Sequence, residues 1–255
     1  MAIADAIEFI RDVANKYRIS GIYIVGGAVR DEIYYGKMQQ KSDIDLTSIY
    51  PNRAVELGGL VAGELGQDMP KILHRTGTLN FKVADVDIDF KGEWMDTSGY
   101  TEIMRKLGID VNQLTKDVYS RDFTINSLLK SLHTGKVLDI TRKGIKDIKN
   151  KVVRTILPAI YVCQKNPLVI LRALRFAVYL GFKIDPELSE AMKKYSHSIL
   201  DVVTNERAEK EVLKMLAKDT RRTLDLLEEY DLINLILPDV FQESIKLSPA
   251  VFQEM

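Results

Sequence analysis

The 255-residue chain predicts a mixed α/β N-terminal unit with a small mixed sheet, followed by an all-helical unit. Three stretches carry that expectation. Gly21 to Ser48 reads as strand, glycine turn, short helix, loop and second strand. Residues 79–84 and 86–90 look like a pair of strands, and from Pro158 the chain reads all helical. The boundary is expected near Arg154, giving units 1–154 and 155–255.

Taken in order, Ile3, Ile7, Ile10, Ala14 and Tyr17 recur at helical spacing, so the chain opens with an amphipathic helix. Ile22 to Val25 is a β-prone apolar run that stops at Gly26-Gly27. Paired glycines allow a tight turn and leave backbone N–H groups bare. Ala28 to Tyr35 continues as a helix whose N-terminus sits just behind them. Free N–H groups and the helix dipole there favour a phosphate. Asp43-Ile44-Asp45-Leu46 then reads as a strand with both carboxylates on one face. Two same-face carboxylates repel each other, and a divalent cation between them would resolve the repulsion. Carboxylates plus substrate phosphates are the ligands magnesium prefers. A Gly-Gly before a helix is usually only a turn, and Asp-x-Asp is usually solvated surface. In combination, with a strand on each side, they point to a metal-dependent nucleotidyltransferase.

A helix is expected from Arg53 to Leu65, and Asp87 and Asp89 share a face of the strand at 86–90. Gly92 to Thr115 offers few hydrophobic anchors and reads as a mobile excursion containing a short helix, with Trp94 as a packing or base-stacking residue, packing being favoured. In Ser120 to Leu129, Arg121 has the planar fork to bridge phosphate oxygens. Asp122 can accept from ribose hydroxyls or cap a helix from Phe123 to Leu132, and Asn126 can donate and accept. That helix would place Asp122 and Asn126 on one face. A strand from Val137 leads to a turn at Gly144, amid a basic run that includes Lys146. Such runs are usually solvated surface, but beside a phosphate site they could hold RNA backbone. Pro167 opens a helix with Leu168, Leu171, Leu174, Phe176 and Val178 as its core side, and Gly181 ends it. Arg207, Lys210, Lys214 and Lys218 form a basic stripe on a later helix.

The totals narrow the classes. Lys plus Arg equals Asp plus Glu at 36 each, so nucleic-acid affinity must come from local segregation of charge. A single cysteine, Cys163, excludes an internal disulfide and a cysteine metal cluster. No signal-peptide pattern or membrane-spanning apolar run is present, which fits a cytoplasmic setting without a membrane partner. Oligomeric state is not legible.

GGAVRD followed by DIDL resembles the signature of the class II tRNA nucleotidyltransferase and bacterial poly(A) polymerase family, in the DNA polymerase β superfamily. SRDFTINSLL resembles its second motif, with Ser120 in place of the first arginine. Val137 to Arg154 resembles the third motif, LRALRFAVYLGFKID the fourth, and Asn205 to Glu211 the fifth. The resemblance implies a nucleotidyltransferase head with its helices mainly on one face of the sheet, followed by a helical neck and the start of a body. It implies transfer of nucleoside monophosphates from ATP and CTP to an RNA 3′ end, such as the tRNA terminus, with Mg2+ as cofactor. Asp43 and Asp45 would hold the metal, and a third carboxylate would come from Asp87, with Asp89 as its local rival. Gly26, Gly27, Arg30, Arg121, Asp122 and Asn126 would bind nucleotide from the head. Asn166, Arg172 and Arg175 would do so from the neck, and Lys146, Arg207, Lys210 and Lys214 would bind RNA. Two departures stand out. Most of the body and the tail of the relatives have no counterpart here. The fourth motif's usual Glu-Asp-x-x-Arg reads Lys165-Asn166-Pro167-Leu168-Val169, so the aspartate and arginine that read the base are replaced by Asn166 and Val169. Weaker or altered base discrimination is expected. The rival readings are a tailing enzyme with relaxed base choice, transfer to a non-RNA acceptor, and a non-catalytic RNA- or nucleotide-binding module.

Overall fold

The structure, a computed structural model, describes residues 3–39, 43–68, 72–73, 77–93 and 99–236. The chain divides into two compact units, Met1–Asn150 and Lys151–Met255.

The first unit runs α1 (Ile3–Lys16), β1 (Ile22–Val25), α2 (Gly27–Tyr35), β2 (Ile44–Ser48), α3 (Arg53–Glu64), β3 (Ile72–Leu73), β4 (Thr78–Val83) and β5 (Val86–Phe90). It continues with α4 (Tyr100–Lys106), α5 (Gln113–Tyr119), β6 (Leu129–Ser131), β7 (Val137–Leu138) and α6 (Gly144–Asn150). Among the described residues these strands make one seven-stranded sheet in the order β3-β4-β5-β2-β1-β6-β7. The β2–β5 pair is parallel and the other pairs of this sheet are antiparallel, so it is mixed as expected.

Period-2 alternation sorts the two faces. Ile44, Leu46, Ile88 and Phe90 are fully buried, while Asp45, Asp87 and Asp89 between them are not. Helix α3 seals the apolar face, and α1 packs on α3 through its stripe of Ile3, Ile7, Ile10 and Ala14. Gly58 is where α3 comes closest to the sheet. A Cβ there would lie 2.7 Å from Leu79 Cδ2 and 2.8 Å from Phe90 Cγ. Helix α5 takes the other face, where its Val118 packs with Val25 and Leu129. Val25 is the register partner of Asp45, so α5 lies on the carboxylate side of the sheet.

Three local expectations need correction. Phe123 to Leu132 is not a helix. Phe123 is extended, Thr124–Asn126 forms one 3₁₀ turn, and Leu129–Ser131 is strand β6 on the edge of β1. Short polar side chains divert this backbone: Ser127 Oγ donates to Thr124 O, and Thr124 Oγ1 donates to Asp147 Oδ2. Asp122 therefore caps no helix and does not share a helix face with Asn126. Gly144 is the first residue of α6 rather than a turn, and a Cβ on it would strike Thr124 O at 2.6 Å. The segment after Gly92 is anchored by buried Tyr100 and Met104, and α5 begins with a reciprocal capping box between Asn112 and Thr115. Trp94 lies outside the described residues.

The second unit runs β8 (Val152–Val153), α7 (Ala159–Lys165), α8 (Leu168–Leu180), β9 (Lys183–Ile184), α9 (Pro186–Tyr195), α10 (Ile199–Val202), α11 (Asn205–Lys218), α12 (Thr220–Glu229) and α13 (Ile233–Ile236). It is helical apart from the short parallel pair β8–β9. Helix α8 is apolar nearly all round and is the hub, touching α7, α11 and α12. Gly181 ends it with φ 67°. Cys163 is buried in this unit, and burial pushes its thiol up to about 12.

Replacing Gly58 by Val should cost about 1–3 kcal/mol, the usual range for overpacking a filled core. The expected readout is a lower urea midpoint with an unchanged m-value. An unchanged midpoint would mean that α3 is not seated on Leu79 and Phe90 as described.

Candidate active site

The site begins with the backbone at Gly26. Its φ of 88° is one that residues with a Cβ rarely adopt. A Cβ there would lie 3.0 Å from Asp45 Oδ2 and 3.1 Å from Arg121 Nη1. The glycine turn, the Asp-x-Asp strand and Arg121 thus converge on one point. Gly27 starts α2, and Arg30 follows one turn later. A Cβ on Gly27 would sit 3.4 Å from Arg30 Nη2. Two neighbours hold the Arg30 fork: Nε donates to Asp31 Oδ1 at 2.8 Å, and Nη1 donates to Asn126 Oδ1 at 2.7 Å. Asp31 is itself buried, so it fixes the arginine from inside.

The carboxylates lie on the two central parallel strands. Asp45 on β2 stands in register beside Asp89 on β5, and Asp43 immediately precedes β2. Partial desolvation pushes the Asp43 carboxyl above its ordinary value, and Asp87, Asp89 and Asp45 push it the same way by repulsion. Asp89 accepts from Asn80 Nδ2 at 2.5 Å, whereas Asp87 is 3.7 Å from Lys82 Nζ. Asp45 and Asp89 face a cavity of about 410 Å3 that Lys91, Gln113, Asp117 and Ser120 also line. Among the described residues, no group of three or more His, Cys, Asp or Glu side chains is gathered as a ready-made metal cage.

Two residues that the sequence reading missed complete this corner. Lys91, just past β5, brings Nζ within 3.5 Å of Asp45 Oδ2. Asp117 on α5 is buried and accepts from Arg121 Nη2 at 3.3 Å. Burial opposes its ionisation, but the Arg121 guanidinium, with Lys91 and Thr47 adding to it, holds the carboxyl below the usual range. The i,i+4 spacing of Asp117 and Arg121 was the available signal. Arg121 Nη1 is 3.8 Å from Asp45 Oδ2, so this one guanidinium spans both carboxylates.

The structure therefore brings together Gly26, Gly27, Arg30, Asp43, Asp45, Arg121 and Asn126 within the first unit. Asp122 is half-buried beside Arg121, and Lys146 is exposed on α6. In the second unit Asn166 ends α7, half-buried. Arg175 on α8 donates from Nε to Glu211 Oε2 at 2.5 Å, and Arg172 lies half-buried one turn before it. Arg207, Lys210 and Lys214 are exposed on α11, with Lys210 paired to Glu206 at 2.7 Å. Val169 is fully buried on α8. Its side chain is used in the core, so it does not stand where the family's base-reading arginine would have to reach out.

Residues 22–154, just over half of the chain, match the model of the poly A polymerase head domain. Residues 181–243 match that of a probable RNA and SrmB-binding site of polymerase A. A multifunctional CCA protein of Tolumonas auensis is 32% identical over 224 residues, covering 86% of this chain and 51% of the relative. The tRNA nucleotidyltransferase cca2 of Schizosaccharomyces pombe is 34% identical over 231 residues, covering 82% of this chain and 46% of the relative. The chain spans about half the length of the curated relatives it matches. Among solved structures, a tRNA nucleotidyltransferase complexed with a primer tRNA and an incoming ATP analogue superposes with a TM-score of 0.72 at 25% identity, covering 96% of this chain and 71% of that one. An apo tRNA-processing enzyme gives 0.71 at 27% identity, covering 90% and 60%. By the match across its first unit, where the glycine turn and the Asp-x-Asp strand meet, the chain belongs to the poly A polymerase head-domain family of nucleotidyltransferases.

Proposed function

We propose that the chain is a template-independent RNA nucleotidyltransferase acting in the cytoplasm. It would transfer a nucleoside monophosphate from ATP or CTP to an RNA 3′ end, as in CCA addition or repair on tRNA. The observation that carries this reading is the convergence of Gly26, Asp45 and Arg121 within the first unit. The names of the relatives, which are CCA-adding and tRNA nucleotidyltransferases, point to the acceptor.

In this reading the bare N–H groups behind Gly26-Gly27 and the N-terminus of α2 receive the triphosphate. Arg30, held by Asp31 and Asn126, offers its guanidinium without first having to be ordered. Arg121 neutralises a phosphate oxygen from the opposite side. Asp43 and Asp45 supply hard oxygen donors on one face, and their mutual repulsion marks a place for a cation. They suit magnesium, which keeps waters and substrate phosphates as its other ligands. When bound there, it would lower the pKa of the attacking hydroxyl and steady the leaving pyrophosphate. Asp89 is favoured over Asp87 as the third carboxylate, because it stands beside Asp45 and faces the same cavity. The RNA 3′ oxygen attacks the α-phosphorus, the bond to the β-phosphate oxygen breaks, and pyrophosphate leaves. Asp122 is assigned to the ribose. Asn166, Arg172 and Arg175 are assigned to the nucleotide, and Lys146, Arg207, Lys210 and Lys214 to RNA backbone, from their match to the family motifs.

A second reading, a tailing enzyme with relaxed base choice, is favoured by one feature. Where the family places an aspartate and an arginine, this chain has Asn166 and a buried Val169. Sites that read a base by hydrogen bonds discriminate strongly, and an apolar residue does not.

The double substitution Asp43→Ala plus Asp45→Ala should abolish incorporation while leaving the circular dichroism spectrum intact. Full activity in that variant sinks the mechanism. Asn166→Asp alone should sharpen preference for CTP and ATP over UTP and GTP in a four-nucleotide competition. An unmodified protein that already adds C, C and A with negligible errors would remove the second reading. Val169→Arg, by contrast, should destabilise the protein by roughly 3 kcal/mol or more, because it forces a charge into a filled core. A Val169→Arg protein that melts like the parent would show that the position is open after all.

A further inference from the structure

Arg121 has a task that its surroundings make difficult. A guanidinium between the glycine turn and Asp45 is drawn toward that carboxylate, from which its Nη1 stands 3.8 Å away. Closed into a full ion pair, it would spend its charge on Asp45 and have less to offer a phosphate. Lys91 approaches the same Asp45 oxygen at 3.5 Å and shares that carboxylate with Arg121. What stands against that pull is on α5. Asp117, with only 7% of its side chain exposed, takes Arg121 Nη2 at 3.3 Å and 3.4 Å with its two oxygens. The hydroxyl of Thr47, buried on β2 two residues beyond Asp45, also favours the ionised form of Asp117. The bridge thus lies beside the strand that carries Asp45. It sits on a capped helix seated on Val25 and Leu129.

We propose that Asp117 is a positioning residue. It tethers Nη2 of Arg121 so that Nη1 remains directed at the glycine turn, where the triphosphate is received, instead of closing on Asp45. This rests on the nucleotidyltransferase reading of the site and adds a residue to it. Asp117 touches no substrate and acts only through Arg121. Charge-assisted bonds between fixed partners make such a tether worth a measurable share of ligand affinity. Because the two residues work as a unit, their substitutions should be strongly non-additive.

The test is a double-mutant cycle read by equilibrium binding of ATP in the presence of Mg2+, with incorporation measured on the same preparations. Asp117→Asn should weaken ATP binding about tenfold and raise KM more than it lowers kcat, the pattern expected when a ground-state contact is lost. In an Arg121→Ala background the same change should shift ATP affinity by less than about twofold. Asp117→Glu, which keeps the charge, should recover part of the loss. If Asp117→Asn does not fold, Thr47→Val supplies the same evidence by removing only the hydroxyl that favours the ionised form of Asp117. It should weaken ATP binding in the same direction by about two- to threefold. Unchanged ATP affinity in folded Asp117→Asn or Thr47→Val, or additive losses in the cycle, overturns the positioning role. If that happens while the parent protein incorporates nucleotide normally, the functional reading stands and only this inference falls. A parent protein that incorporates nothing removes both.

Discussion

The structure depends on a concentration of like charge that a sheet would ordinarily avoid. Asp45 and Asp89 are in register on neighbouring strands, and partial burial, with repulsion from Asp87, Asp89 and Asp45 added to it, raises the Asp43 carboxyl. Directly opposed like charges destabilise a strand pair. Their cost is met on the other side of the same strands, where Ile44, Leu46, Ile88 and Phe90 are fully buried under α3. The alternation that makes this corner acidic also makes the core apolar, so the two cannot be separated by sequence drift without losing one of them.

The remaining groups of the site act as counterweights to that charge. Lys82 and Asn80 from β4 attend Asp87 and Asp89, and Lys91 and Arg121 attend Asp45. Arg30 is held by its bonds to Asp31 and Asn126 and Arg121 by Asp117, so two separately held guanidinium groups stand beside the paired glycines. Electrostatic preorganisation of this kind lets a site receive a highly charged substrate without reordering its own side chains. Only glycine at position 26 leaves the approach open, since any Cβ would press on both Asp45 and Arg121.

Much of this was legible in the sequence, for identifiable reasons. Strands β1, β2 and β5 announce themselves by short apolar or alternating runs between turn residues, and the Asp-x-Asp face follows from period 2 alone. The α8 helix was equally clear, with Gly181 as its stop. What escaped was set by contacts far away in the chain. Leu129–Ser131 becomes a strand because β1 offers a free edge some hundred residues earlier, and no local propensity records that edge. Asn126 looked like a ligand group, yet its oxygen is committed to Arg30. Asp117 was passed over because it lies just before the segment that looked like a motif, while its i,i+4 partner Arg121 lies inside it. Val169 was read through its motif position, although a helix apolar nearly all round signals burial. There, packing took precedence over the role that the resemblance suggested.

The central claim is that the acidic corner on β2 and β5 is built to receive a divalent cation. A cation that binds the native state alone must raise the melting temperature by mass action, and relief of carboxylate repulsion is the source of that affinity. The most direct measurement is the melting temperature of the protein across a Mg2+ titration at constant ionic strength, with Na+ as the control. The account predicts a rise that grows with the logarithm of the Mg2+ concentration, reaches about 5 °C when the cation is present at many times its dissociation constant, and is not reproduced by Na+. A melting temperature that is flat in Mg2+, or that responds equally to Na+, would contradict it.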